Sequence, residues 1–483
     1  MEKLQIFDKN SNSKNTNYIN QPDTPLAELD KVIPKSCLRE NLPLPNLGEL
    51  EVIRHYTSLS SSNFSVDSNF YPLGSCTMKY NPKLNEYLAS LAGFTDIHPY
   101  QNADCIQGAL ELIYNLSQAL SVITGMKRFT FQPSSGAQGE LAGLLMIRKF
   151  HRINNNQKTK VIIPDSAHGT NPATASMCGY QVLTVESTKD GLVNINRLKE
   201  IVDDKVAAIM LTNPNTLGLF EENILEIRDI VHKKGGLLYY DGANFNPLLG
   251  VTNPSLMGFD VIHLNLHKTF STPHGCGGPG AGAVGAGDTL EDFLPFPLID
   301  KRGDKFYLNY QVKNSIGRLK GFYGNFLVLV RAYAYILRLG EQGLLRVAQV
   351  STLNANYIKE KLKNQYEVAY PKRCLHEVVF SCQKQKERGA SSLDIAKRLI
   401  DFGIHPPTMY FPLIVAEALM IEPTETESKQ ALDYFIKAMR DIDKEIDQDL
   451  AKVKTAPHSV SVKRIDEVKA ARFPNLKWEK SGD

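Results

Sequence analysis

Residues 206–244 read VAAIMLTNPNTLGLFEENILEIRDIVHKKGGLLYYDGAN. The first seven form an uninterrupted apolar run at 206–212, and the polar cluster Asn213-Pro214-Asn215-Thr216 follows it. A helical stretch at 222–234 leads to a second apolar run at 236–240, which ends on Asp241. Strands that are apolar without alternation are covered on both faces, and a strand–helix–strand order makes neighbouring strands parallel. The same rhythm extends outward. Strands are expected at 128–132, 160–164, 181–186 and 260–265, with helical stretches at 137–152 and 194–203. Upstream, Ile106, Leu110, Ile113, Leu116, Leu120 and Ile123 recur at helical spacing over 103–124, and Gly125 stops the run.

The rest of the chain reads differently. A long helical region at 325–363 precedes strands at 366–370 and 377–381, a helix near 391–402 and a last helix at 426–450. The expected organisation is α/β: a large sheet domain at 79–330, a smaller α+β domain at 331–483, and an N-terminal arm at 1–78. The first 25 or so residues are polar and Asn-rich, as in a disordered segment. Residues 26–75 read as an extended piece wrapping a neighbour.

Composition narrows the function. The 483 residues carry 55 Lys and Arg against 52 Asp and Glu, a formal charge of +3, and 42% are hydrophobic. That balance excludes a disordered chain and offers no general attraction to nucleic acid or an acidic membrane. No apolar run approaches the ~18 residues that span a bilayer. The N-terminus lacks the apolar core of a secretory signal. Seven scattered cysteines, Cys37, Cys76, Cys105, Cys178, Cys276, Cys374 and Cys382, never take C-x-x-C spacing and fit reduced thiols in a cytoplasmic protein. His263 and His267 stand four apart, but no carboxylate completes a ligand set, so no metal is expected.

In an open α/β sheet, ligands bind beyond the carboxyl ends of the strands. Five polar clusters follow predicted strands: Ser134-Ser135-Gly136-Ala137-Gln138, the loop with His168, Asn213 to Thr216, Asp241-Gly242-Ala243-Asn244, and His267-Lys268-Thr269. Small residues opening a helix can bind an anion through free N–H groups. A lone carboxylate such as Asp241 can keep a pyridine nitrogen protonated. Lys268 can form a Schiff base, and His168 can lie over an aromatic ring. Phosphate, pyridinium, aldehyde and ring face are the four handles of pyridoxal 5'-phosphate. Taken singly, each residue has an ordinary reading: a helix cap, a turn aspartate, a loop histidine. The weight lies in their order, each after its own strand.

The run Gly280-Ala281-Gly282-Ala283-Val284-Gly285 satisfies G-x-G-x-x-G. It lies outside the first strand-to-helix turn, and Ala-Val-Gly-Ala reads as a strand, so a nucleotide site is not inferred. The preceding His274 to Gly280 reads as a mobile loop near Lys268 that orders when cofactor binds.

Seven segments carry a family resemblance: YPLGSCTMKYNP (71–82), DSAHGTNPA (165–173), TNPNTLGLFE (212–221), YDGAN (240–244), HLNLHKTF (263–270), GFYGNF (321–326) and PTETES (423–428). In these the chain resembles the glycine decarboxylase P-proteins of the glycine cleavage system, in particular the second subunit of their two-subunit form. The resemblance implies a fold-type I, aminotransferase-like enzyme that decarboxylates glycine and passes the aminomethyl group to the lipoyl arm of H-protein. It implies Lys268 as the cofactor-linked lysine, Asp241 at the pyridine nitrogen and His168 on the ring. Ser135, Gly136, Ala137 and Gln138 would hold the phosphate, with Thr216 and Asn244 as neighbours. It also implies a homologous subunit 1 in an α2β2 heterotetramer, since the single-chain form is about twice as long. Cys276 departs from the family, which usually has glycine there. The alternatives are another fold-type I enzyme, such as an amino-acid decarboxylase or aminotransferase, and a non-catalytic scaffold subunit.

Overall fold

The computed structural model describes residues 5–9, 23–39, 44–45, 47–275 and 280–478. They form two compact units, one of residues 66–454 and one drawn from 1–65 and 455–483. In the second unit, the helix Glu49–Ser60 opens with the Gly48 N–H donating to Glu51 Oε2 at 2.9 Å. It occupies part of the stretch expected to be extended.

The larger unit is organised by a seven-stranded sheet. Its strands are β1 (Arg128–Thr130), β2 (Lys160–Pro164), β3 (Gln181–Val185), β4 (Val206–Thr212), β5 (Leu237–Gly242), β6 (Val261–Asn265) and β7 (Gly282–Ala286). They lie in the order β1-β7-β6-β5-β4-β2-β3. β6, β5, β4, β2 and β3 run parallel, and β7 runs antiparallel between β6 and β1. The inner strands β4, β5, β6 and β7 are buried at every position because both faces are covered, while β3 at the sheet edge leaves Gln181 and Thr184 exposed. Ile209, Leu238 and Ile262 point into one core, while Met210, Tyr239 and Val261 point into the other. The G-x-G-x-x-G run leads into β7, which takes Gly282 to Gly285, and a Cβ on Gly285 would lie 2.4 Å from the Phe129 ring.

A hairpin of β8 (Leu298–Arg302) and β9 (Lys305–Asn309) follows. It was not expected, since Asp300, Lys301, Arg302 and Lys305 break the apolar run. The helix Phe326–Leu362 crosses residue 330, the expected domain border, and Gly340 kinks it at φ 60°. A four-stranded antiparallel sheet comes next, built from β10 (Glu367–Val368), β11 (Val378–Ser381), β12 (Thr408–Met409) and β13 (Ala418–Ile421) in the order β10-β11-β13-β12. β13 was not expected either, because a four-residue apolar run cannot be told from a buried helical segment by periodicity.

Residues 66–78, expected as part of the arm, belong to the larger unit. The segment they begin is held in place by Lys79, which is 2% exposed. Lys79 Nζ donates to Asn246 Oδ1 at 2.9 Å, the Thr269 carbonyl at 2.8 Å, the Tyr335 hydroxyl at 3.0 Å and Glu425 Oε1 at 2.8 Å. Burial opposes a charge here, but Glu425 and Tyr335 outweigh it and raise the Lys79 pKa. Among the described residues, no helix is long and apolar enough to cross a membrane.

Candidate functional site

Parallel register brings the polar strand ends together. Thr212 of β4 pairs with Asp241 of β5, which pairs with His263 of β6. A pocket opens over this row. It is lined by Gly136, Ala137, Glu140, His168, Thr170, Thr212, Thr216, Asp241, Ala243, Asn244, His263, Asn265 and Lys268, with Ser75 reaching in from the segment before Lys79. Seven of the nine residues expected at the site therefore line one pocket: Lys268, Asp241, His168, Gly136, Ala137, Thr216 and Asn244.

The other two, Ser135 and Gln138, shape its floor. Ser135 caps the helix Gly136–Ile153, its hydroxyl accepting the Gln138 N–H at 3.2 Å. The Gln138 side chain accepts the Ser134 N–H at 2.7 Å. Both side chains thus serve the helix end. The N–H groups of Gly136 and Ala137, in the first turn, have no carbonyl to meet within the helix. Gly136 also allows a close approach, since a Cβ there would lie 2.5 Å from Asn265 Nδ2.

Asp241 is 3% exposed yet well supplied with donors. Asn171 Nδ2 donates to Oδ2 at 2.9 Å and the Ala243 N–H to Oδ1 at 3.0 Å. His263 Nε2 lies 3.3 Å from Oδ1. Burial pushes this carboxyl up, but His263, the two N–H donors and Lys268 outweigh it and hold its pKa below the ordinary value. The carboxylate calls for a proton on His263 Nε2, which leaves Nδ1 to accept from the Tyr239 hydroxyl 2.8 Å away.

On the facing helix, Glu140 accepts from Thr170 Oγ1 at 2.7 Å and Thr174 Oγ1 at 3.2 Å. Burial and the nearby Asp241 push its pKa up. Thr170 in turn meets His168 Nδ1 at 2.8 Å. His168 is exposed, with its ring edge-on to Phe411 at 5.7 Å. Thr216 donates to the Ser166 carbonyl. Asn244 Nδ2 donates to the Pro214 carbonyl at 3.1 Å.

Lys268 is placed by a turn far away in sequence: its Nζ donates to the Ser75 carbonyl at 2.6 Å. Ser75 and Thr77 both adopt left-handed backbone, at φ 62° and 45°. For non-glycine residues this costs about 1–3 kcal/mol each and persists only where the surroundings impose it. Beside Lys268, burial, His274 and Lys268 itself push His267 down to about 3. Residues 276–279, including Cys276 and most of the expected mobile loop, lie outside the described residues.

The pocket suits a flat, phosphorylated pyridine. An ionised carboxylate at the end of a central strand, free helix N–H groups and an amine line the same pocket. In its wall, Asn244 Oδ1 and Asn265 Oδ1 are buried without hydrogen-bond partners among the described residues, as expected of a wall built for a ligand. The readings from sequence overlooked Glu140, Asn171, Thr170, His263, Asn265 and Ser75. All but Glu140 lay inside the quoted family segments: Ser75 in 71–82, Thr170 and Asn171 in 165–173, and His263 and Asn265 in 263–270.

Known proteins agree with this architecture. The model of the class-V aminotransferases matches residues 139–292, and that of the glycine dehydrogenase C-terminal domain matches 347–464. The probable glycine dehydrogenase (decarboxylating) subunit 2 of Caldanaerobacter subterraneus subsp. tengcongensis is 53% identical over 477 residues, covering 98% of each chain. The Staphylococcus aureus protein of the same description is 52% identical, over 98% of this chain and 97% of its own. Among solved structures, an inhibitor-bound glycine decarboxylase (P-protein) of the glycine cleavage system superposes with a TM-score of 0.72 at 19% identity, over 86% of this chain and 94% of that one. A cysteine desulfurase from Thermococcus onnurineus NA1 follows at 0.61 and 16%, over 78% and 95%. At such low identities the two superpositions show a shared fold, the fold-type I architecture that the class-V aminotransferase match also gives. At half identity over nearly its whole length, the chain belongs to the family of glycine dehydrogenase (decarboxylating) subunit 2.

Proposed function

We propose that this chain is the cofactor-bearing subunit of a pyridoxal 5'-phosphate-dependent glycine decarboxylase that passes the aminomethyl group to the lipoyl arm of H-protein. One observation carries the reading: an amine, an ionised buried carboxylate and a free helix N-terminus meet in a single pocket at the strand ends. The division of labour follows from the residues. Lys268 would hold the cofactor through its aldehyde. Asp241, kept ionised by its donors, would face the pyridine nitrogen. The N–H groups of Gly136 and Ala137 would take the phosphate, with Ser135 and Gln138 holding that helix end in shape. When bound, the cofactor supplies an electron sink for the pair left behind as carbon dioxide departs.

The remaining steps belong to the side chains. His168 lies at the exposed mouth, where it can cover the ring and exchange a proton with an incoming group; its Thr170–Glu140 link fixes the imidazole. Thr216 and Asn244 close the wall on the β4 and β5 side. We read the seven-stranded sheet and its helices, within residues 79–330, as the cofactor-binding domain and the four-stranded sheet and its helices, within 331–454, as the small domain, in a cytoplasmic α2β2 assembly with a homologous subunit 1. Lipoylated H-protein docks on that assembly.

The test is Lys268→Ala, reconstituted with subunit 1 and lipoylated H-protein. Glycine-dependent carbon dioxide exchange should fall to background, a loss of at least about 10³-fold. Retained exchange overturns the assignment. Exchange by the unaltered chain without H-protein would point instead to a free-standing amino-acid decarboxylase.

A further inference from the structure

Behind the Ser75 side of the pocket lies a second buried cluster, unused by the chemistry above. Val378 of β11 pairs with Ile421 of β13, so the residues just beyond that pair, Glu377 and Glu422, are neighbours. Both are 0% exposed. A carboxyl oxygen of each and a ring nitrogen of His376 lie within 4.8 Å of one another. Each glutamate uses one oxygen on the same turn. The Ser75 N–H donates to Glu377 Oε2 at 2.9 Å, and the Thr77 N–H donates to Glu422 Oε2 at 3.0 Å. The carbonyl of that Ser75 is the acceptor for Lys268. Glu377 also touches the pocket wall, its Oε1 accepting from Asn244 Nδ2 at 3.4 Å.

The charges around the pair do not balance two carboxylates. Buried carboxyls this close cannot both ionise without a cation between them. Lys268 gives its Nζ to the Ser75 carbonyl instead. His376 is held neutral, pushed down to about 3 by burial and by Lys268. The Cys76 thiol is pushed up, chiefly by burial, and Glu425 is tied to Lys79. Burial raises both glutamates, and repulsion from Glu422 adds to the rise at Glu377. Glu422 Oε1 and both His376 ring nitrogens lack hydrogen-bond partners among the described residues, His376 Nε2 lying 3.7 Å from Glu377 Oε1.

We propose that Glu377 and Glu422 share a single proton and act as positioning residues, clamping the Ser75–Thr77 turn in its left-handed conformation so that the Ser75 carbonyl stays on Lys268. The two N–H acceptors are what impose the unfavourable backbone at Ser75 and Thr77. The clamp couples the small sheet to the pocket. It stands without the cofactor; only its bearing on catalysis rests on the function proposed for Lys268.

The full-length, cofactor-free protein provides the test, by amide hydrogen exchange and infrared difference spectroscopy at neutral pH. Glu377→Ala should speed exchange at the Ser75 amide, and Glu422→Ala at the Thr77 amide, by about tenfold or more, as expected for a lost hydrogen bond to a buried acceptor. Glu377→Gln and Glu422→Gln keep an acceptor oxygen and should rescue that protection. Either glutamine should remove one protonated-carboxyl band, and the double glutamine variant should remove no more than a single one. Unchanged exchange in both alanine variants overturns the clamp. No band lost, or twice the band lost in the double variant, overturns the single proton. If the alanine variants fail to fold, the glutamine spectra decide alone. A surviving activity in Lys268→Ala would leave all of these readings untouched, so the two proposals fail separately.

Discussion

Two sets of buried carboxyls flank the pocket, and they behave in opposite ways. Asp241 sits at the end of β5 with Asn171, the Ala243 N–H and His263 around it. Glu377 and Glu422 sit at the ends of β11 and β13, each with one backbone N–H and with each other, Glu377 also meeting the Asn244 amide at 3.4 Å. All three are almost fully removed from water. Asp241 is nevertheless held below the ordinary carboxylate range, while the two glutamates are driven above it. Burial is common to both sets, so it cannot be what separates them. The donors do: Asp241 has a side-chain amide, a backbone N–H and an imidazole within reach, where each glutamate has one backbone N–H and Glu377 adds only the Asn244 amide at 3.4 Å.

Removing the charge from the well-supplied side should have the largest effect. Asp241→Asn keeps the shape but loses the carboxylate, and glycine-dependent carbon dioxide exchange should fall by about 10²–10³-fold, the usual cost of one preorganised electrostatic partner. An activity within a factor of ten would mean that Asp241 does not face the reacting ring.

His263→Gln should act more gently and with a definite sign. The Asp241 pKa is depressed partly by His263, so the variant should raise it, and the acid limb of the pH–activity profile should move to higher pH. Stability contributed by ionised Asp241 is present above its unfolded-state pKa and is lost as pH falls through the folded value. In the variant the onset, set by the unfolded-state pKa, should stay in place, while the loss should be smaller and complete at higher pH. Denaturant midpoints measured across the acid range check the second expectation, and an unchanged midpoint profile would break the comparison.

Ser135→Ala is the smallest change. Its hydroxyl already serves the Gln138 N–H, so the expected result is a loss of about 1 kcal/mol in stability. Cofactor affinity should stay within a few-fold. A large loss of cofactor would show that the hydroxyl leaves the cap to take the phosphate.

Much of the large sheet was legible because parallel strands concentrate their signal: a continuous apolar run, then a polar cluster at the carboxyl end. That logic located Asp241, His168, Lys268 and the helix start at Gly136 before any geometry was known. It missed the helix Thr170–Met177, whose Thr-Asn-Pro-Ala-Thr-Ala-Ser sequence has little apolar periodicity. It missed Glu140, one turn past Gly136, because a lone glutamate in a helix looks solvated until the opposing sheet is placed. His263 drew attention only as a possible metal ligand, although its partners are Tyr239 and Asp241. Glu377 stood at the start of an expected strand with nothing local to mark it. Its role depends on Ser75, 302 residues away.

The Lys79 anchor sets the order in which this protein can be made. The segment around it depends on bonds to residues between 167 and 346 positions further along the chain. A nascent chain emerging from the ribosome carries this segment early and holds it unplaced until Glu425 has been synthesised. Contacts of such long sequence separation form late in folding. The pocket wall that meets Lys268 is therefore among the first parts translated and among the last assembled, and a chain cut short before residue 377 could form the large sheet while leaving that wall open.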